Sequence, residues 1–129
     1  MIKNTAPTKV HLHKKSKILN IAFAHKSYQL PAEFLRVHSP SAEAQGYDQV
    51  VLVTGKMDVG IKELELSGNY GIRITFDDGH DTGIFTWNYL ADLGENQKAL
   101  WDTYLKKLEE ENQSRDPHTQ PLFFTPQSP

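Results

Sequence analysis

The stretch Ile61-Lys62-Glu63-Leu64-Glu65-Leu66-Ser67-Gly68-Asn69-Tyr70-Gly71-Ile72-Arg73-Ile74-Thr75-Phe76 decides the fold class. Side chains on a strand point alternately to opposite faces, so the alternation from Ile61 to Leu66 and again from Tyr70 to Phe76 predicts two strands with one face on a core. Gly68-Asn69 between them supplies the turn of an antiparallel hairpin. After the loop Asp77-Asp78-Gly79-His80-Asp81-Thr82-Gly83, the run Ile84-Phe85-Thr86-Trp87 predicts a third strand that continues the meander. Tyr89, Leu90 and Leu93 predict a one-turn helix stopped by Gly94.

Upstream, Thr8 to His13 alternates polar with apolar, and Lys17 to Phe23 carries Ile18, Leu19, Ile21 and Phe23. Lys14-Lys15-Ser16 reads as the loop of an opening hairpin. Pro31 suits the first turn of a short helix over 31–37, with Phe34 and Leu35 on a core, and Pro40 ends it. Val50-Val51-Leu52-Val53 is too short for a lone helix and reads as strand or extended chain. Downstream, Leu100, Trp101, Tyr104, Leu105 and Leu108 recur at spacings of three and four, which predicts a long helix over 95–111. From Asn112 the chain turns polar and holds Pro117, Pro121, Pro126 and Pro129, a composition expected to form a disordered tail over 112–129. The expectation is an α+β fold: one domain over 1–111, made of a small antiparallel sheet of hairpins with two helices.

A length of 129 residues fits a single domain. A net charge of −2 gives no bulk attraction for nucleic acid or anionic lipid, so neither is an expected partner. The absence of cysteine removes disulfides, thiolate nucleophiles and thiolate metal sites. No run is long and apolar enough to span a bilayer and no signal-peptide pattern opens the chain, so the expected compartment is the cytoplasm. Charge is uneven: seven Lys/Arg against Glu33 alone through Arg36, then seven against fifteen acids, or +6 followed by −8. Either the two halves pack with complementary charge, or a basic face is offered to an acidic partner.

Motifs for chemistry are sparse. Thr54-Gly55-Lys56 follows an apolar run but lacks the earlier Gly and the following Ser or Thr of a phosphate loop, so it reads as a turn. His11 and His13 share one strand face, and two imidazoles alone do not make a metal site. His25 and His38 read as isolated surface histidines, and His118 lies in the tail. His80 sits among Asp77, Asp78 and Asp81, which either orient its ring or cap backbone donors in a tight loop. Trp87 and Tyr89 follow, with Trp87 either exposed beside these charges or in the core. Lys62 and Arg73 lie on strands. Leu122-Phe123-Phe124 is an apolar patch in the tail that suits a docking peptide.

The segments Leu35-Arg36-Val37-His38-Ser39-Pro40-Ser41-Ala42-Glu43, Gly60-Ile61-Lys62 and Gly68-Asn69-Tyr70 through Tyr89-Leu90 resemble the gamma-butyrobetaine hydroxylase-like N-terminal domain family, DUF971, over roughly Lys9 to Lys107. In carnitine-pathway oxygenases a similar module precedes the catalytic domain, and another is fused to some iron–sulfur-carrier ATPases. The resemblance implies a zinc site at Ser39, Ser41, Ala44 and His80, of which only His80 keeps a ligand, so neither zinc nor any cofactor is expected. None of the six histidines is followed two residues later by Asp or Glu, so the histidine–carboxylate element of the oxygenases is missing, and 129 residues leave no room for their barrel after Leu108. The implied function is a non-catalytic accessory or protein-interaction module, serving an iron–sulfur assembly ATPase or another enzyme. Its expected working surface holds Asp77, Asp78, His80, Asp81, Trp87 and Tyr89. The rival reading is an iron- or zinc-binding protein built on His80 and the neighbouring aspartates.

Overall fold

The computed structural model describes residues 6–40, 52–79 and 81–116, with side chains at all but 81–83. The element order is β1 (Lys9–His13), β2 (Ile18–Ala22), β3 (Ser27–Pro31), α1 (Ala32–Val37), β4 (Ile61–Ser67), β5 (Gly71–Phe76), β6 (Asp81–Thr86), α2 (Trp87–Glu95) and α3 (Gln97–Glu110). Strands β1-β2-β3 form one antiparallel sheet and β4-β5-β6 another, so the fold is α+β, with two hairpin sheets rather than one.

The β4–β5 hairpin pairs Leu64 with Ile74 and Leu66 with Ile72, closed by Gly68 at φ +56° and a bond from the Tyr70 N–H to the Ser67 carbonyl. A positive φ at that turn position favours glycine. A bulge between Ile61 and Glu63 shifts the phase, and Leu66 near the hairpin tip stays 72% exposed. Strand β6 starts at Asp81, three residues before the apolar run that signals it. On the other sheet, β3 carries Tyr28 and Leu30 inward. No strand is expected there from the sequence, because two apolar positions ending at a proline are too short a pattern.

Both sheets and all three helices contribute to one set of buried or half-buried apolar side chains. Leu19, Ile21 and Leu30 come from the first sheet, Ile72, Ile74, Phe76 and Phe85 from the second, and Phe34, Leu35 and Leu90 from the helices. Three-stranded sheets have little independent stability without a packed face, and each of these supplies the other's cover.

Helix α2 runs through Gly94 rather than stopping there. Its start is fixed by Thr86, whose Oγ1 accepts from the Tyr89 N–H at 3.1 Å. Gly94 is a packing notch: a Cβ there would lie 2.4 Å from Cγ of Tyr28. That ring is held by its hydroxyl, which donates to Glu95 Oε2 at 2.5 Å.

Helix α3 ends in a Schellman motif. Asn112 takes φ +55° and donates its N–H to the Glu109 carbonyl, while the Gln113 N–H reaches the Leu108 carbonyl. The chain therefore turns back on the body, and Ser114 and Arg115 lie along residues 55–57. Residues 112–115, at the start of the segment expected as tail, are held by one cap and two backbone bonds. Residues 117–129, with His118 and Leu122-Phe123-Phe124, lie outside the described residues.

Gly94→Ala separates the two roles of this glycine. Helix propensity favours alanine by about 1 kcal/mol, whereas overpacking against the anchored Tyr28 ring costs about 1 to 3 kcal/mol. The variant is expected to be net destabilised, with a lower midpoint in thermal unfolding; a midpoint above the parent would contradict the notch.

Candidate functional site

The end of α1 is where the predicted site residues meet. Asp78, in the turn after β5, accepts from Arg36 Nε at 3.0 Å and from Lys56 Nζ at 2.6 Å. The Tyr89 hydroxyl donates to the His38 carbonyl at 2.5 Å. The Arg36 and Asp78 side chains are 12% and 20% exposed, although Asp78 as a whole residue is exposed, so their pairing is partly shielded from solvent. Lys56 comes from the Thr54-Gly55-Lys56 turn, where Gly55 takes φ +69°.

The other predicted residues go elsewhere. Asp77 Oδ1 accepts from the Gly60 N–H at 3.0 Å and its own N–H donates to the Gly60 carbonyl, a reciprocal clasp between the start of β4 and the end of β5. Trp87 is in the core, its Nε1 donating to the Asn69 carbonyl at 3.0 Å, so of its two readings the buried one holds. His80 lies outside the described residues, as do Ser41, Ala44, Val50 and Val51, and of Asp81 only the strand backbone is described. Lys62 and Arg73 are exposed. His11 and His13 face the same side with stacked rings 4.4 Å apart, and Asn20 Nδ2 donates to His13 Nε2 at 3.0 Å. The charge asymmetry joins the halves of the chain through Arg36–Asp78 and Lys26–Glu95.

The donor set does not fit the zinc site of the oxygenase modules. Ser39 offers a hydroxyl that stays protonated near neutrality, Ala44 offers no donor, and Arg36 and Lys56 set two positive charges against Asp78, two residues before His80. Among the described residues no group of three His, Cys, Asp or Glu is placed to hold a metal ion.

His38 is half-buried against the Phe34 ring, and its Nδ1 lies 2.9 Å from the Phe34 carbonyl, which accepts from it. Burial pushes its pKa below the usual histidine value, and the carbonyl only partly offsets that. It lines a cleft of about 410 Å³ between the end of α1, Leu52-Val53 and α3, together with Val37, Leu100, Tyr104 and Lys107. The Tyr104 hydroxyl donates to the Val53 carbonyl at 2.6 Å, and burial, reinforced by the Glu33 charge, pushes its pKa up to about 12.

Beside this cleft lies an ion pair that sequence reasoning missed. Glu33 on α1 has only 8% of its side chain exposed, and it accepts from Arg115 Nε and Nη2, both at 2.7 Å. The Arg115 guanidinium stands 5.3 Å over the Trp101 ring, and the Gly55 and Met57 N–H groups donate to the Ser114 and Arg115 carbonyls at 2.9 Å each. The available signal was an acid set between Ala32 and Phe34 in a helix otherwise turned to the core.

Residues 10–91 match the family model for the gamma-butyrobetaine hydroxylase-like N-terminal domain. The chain belongs to this family. A solution structure 48% identical in sequence superposes at a TM-score of 0.80, covering 90% of this chain and 94% of that one. A second solution structure, 43% identical, gives 0.76 over 90% and 89%. A crystal structure of a DUF971-family protein of unknown function from Acidithiobacillus ferrooxidans is 34% identical and gives 0.61 over 73% of this chain and 98% of that one. A search of curated proteins found no match. The family assignment agrees with the resemblance carried by the 35–43 and 68–90 segments. No helix among the described residues is long and apolar enough to cross a membrane.

Two measurements test this geometry. Asp78→Asn leaves Arg36 and Lys56 without their counter-charge and is expected to cost about 1 to 3 kcal/mol in urea unfolding; an unchanged midpoint would show the cluster to be idle. Unfolded His38 titrates near 6.5 and the folded residue lower, so the unfolded chain binds more protons between the two values. The His38 contribution is present above about pH 6.5 and is lost as pH falls through the folded value. His38→Gln should flatten the part of the stability profile below pH 6.5.

Proposed function

We propose that this protein is a non-catalytic module that binds a partner protein in trans, where similar domains in other proteins are fused to theirs. The observation that carries this reading is the face formed by α1, residues 52–57 and α3. It holds a short bent segment, residues 114–116, through two backbone bonds and the pairing of Arg115 with the buried Glu33 carboxylate, beside an apolar cleft. Main-chain pairing combined with side-chain pockets is a recurrent way for proteins to bind extended segments. The cleft lies within the size range of specific sites and carries the few polar groups, His38 and Tyr104, that orient a bound group.

The fusion of similar modules to iron–sulfur-carrier ATPases makes such an ATPase, or another enzyme, the proposed partner class, and the cytoplasm the proposed setting. The metal-binding alternative through His80 and its aspartates is disfavoured by one contact: Asp78 already faces two cations, and a divalent ion beside them would be repelled.

Affinity capture with the full chain, followed by reconstitution of the recovered protein in purified form, tests the reading. A partner whose binding weakens at least about tenfold, or 1.4 kcal/mol, on Leu100→Asp supports it, provided the variant keeps its native amide spectrum. Stoichiometric iron or zinc retained through dialysis, or turnover of 2-oxoglutarate by the chain alone, would overturn it.

A further inference from the structure

We propose that the Glu33–Trp101 groove is an arginine-reading peptide site, filled in cis by Arg115 of the same chain and in trans by an arginine-bearing segment of the partner. This rests on the binding-module reading and names the partner's chemistry.

Three features define what the groove recognises. Glu33 accepts from two nitrogens of one guanidinium at equal distances of 2.7 Å, a planar fork that lysine cannot reproduce. Trp101 provides an aromatic face 5.3 Å from the guanidinium carbon, and this too favours arginine. The Gly55 and Met57 N–H groups take the successive carbonyls of Ser114 and Arg115, which the bend at Arg115 and the bond from the Asp116 N–H to Ser114 Oγ turn toward residues 55–57. The groove thus reads one side chain and the main chain around it, a pattern that an arginine-bearing segment able to take the same bend can satisfy.

Exchange of occupant is physically reasonable because the costly element is conserved. Removing the cation from a buried carboxylate is strongly unfavourable, but replacing one arginine by another leaves Glu33 paired throughout. Arg115 is 38% exposed, so an incoming group can approach from solvent, and a cavity of about 250 Å³ lined by Pro31, Phe34, Gln97 and Trp101 adjoins it. Tethering gives Arg115 an effective concentration in the millimolar range. A partner must therefore add contacts to displace it. Trp101 and Tyr104, with ring centroids 5.0 Å apart, link the groove to the apolar cleft where an additional side chain can be seated.

The test uses a fluorescein-labelled peptide with the sequence of residues 111–118, titrated by anisotropy against the full chain. Arg115→Ala vacates the groove and is expected to bind the peptide at least about tenfold more tightly than the parent does, since the tethered competitor is gone. Lysine in place of the peptide's arginine, or Glu33→Gln added to Arg115→Ala, should remove at least about tenfold of that affinity. Should Arg115→Ala fail to fold, Arg115→Lys keeps a cation on Glu33 without the fork and should still yield to the peptide. Equal affinity for the arginine and lysine peptides, or no saturable binding to a folded groove variant, overturns the proposal. If a reconstituted partner binds the full chain regardless of Glu33→Gln, the arginine assignment falls while the binding-module reading stands.

Discussion

A carboxylate with 8% of its side chain exposed is costly to leave without hydrogen-bonding partners, and Glu33 is such a group. Its place on α1, between buried Ala32 and Phe34, follows from the packing of that short helix. The partner cation arrives from 82 residues away, and the route it takes organises one face of the molecule. Asn112 closes α3 and reverses the chain, Ser114 and Arg115 settle along residues 55–57, and Trp101 stacks on the guanidinium. Within the same turn, Lys56 reaches Asp78, which also holds Arg36 at the end of α1. The two ion-pair systems therefore clamp residues 55–57 from both sides.

Below that face the body of the fold is a shared core. Neither sheet is wide enough to stand alone, and α2 locks them together by packing on β3 as well as following β6. The Gly94 notch lets the helix approach Tyr28 closely, and the Tyr28 hydroxyl, with its pKa pushed up to about 12 by burial and by the Glu95 charge, fastens the helix end to the strand.

Much of this was legible in the sequence where local pattern decides structure. The alternation from Ile61 to Phe76 gave the central hairpin, the three-and-four spacing from Leu100 to Leu108 gave α3, and the 35–43 and 68–90 segments carried the family. Local pattern failed where tertiary contact decides. Gly94 looks like a helix stop until the Tyr28 ring is seen against it. Ser27–Pro31 has too few apolar positions to announce a strand. Of the residues expected at the working surface, Asp78 and Tyr89 reach the end of α1, whereas Trp87 belongs to the core. Glu33 and Arg115 were invisible as a pair because their distance in sequence hides their contact, and because the polar residues after Asn112 read as tail. Asn112 itself, directly after the last helical turn, was the available signal for a reversing cap.

Amide hydrogen exchange at Gly55 and Met57, measured by NMR in the parent chain and in Glu33→Gln, tests most directly whether this one ion pair seats the C-terminal segment. Loss of the pair should release Ser114 and Arg115, so both amides should exchange at least about tenfold faster while core amides such as Ile74 are unchanged. Protection of Gly55 and Met57 that survives the substitution intact would contradict the account.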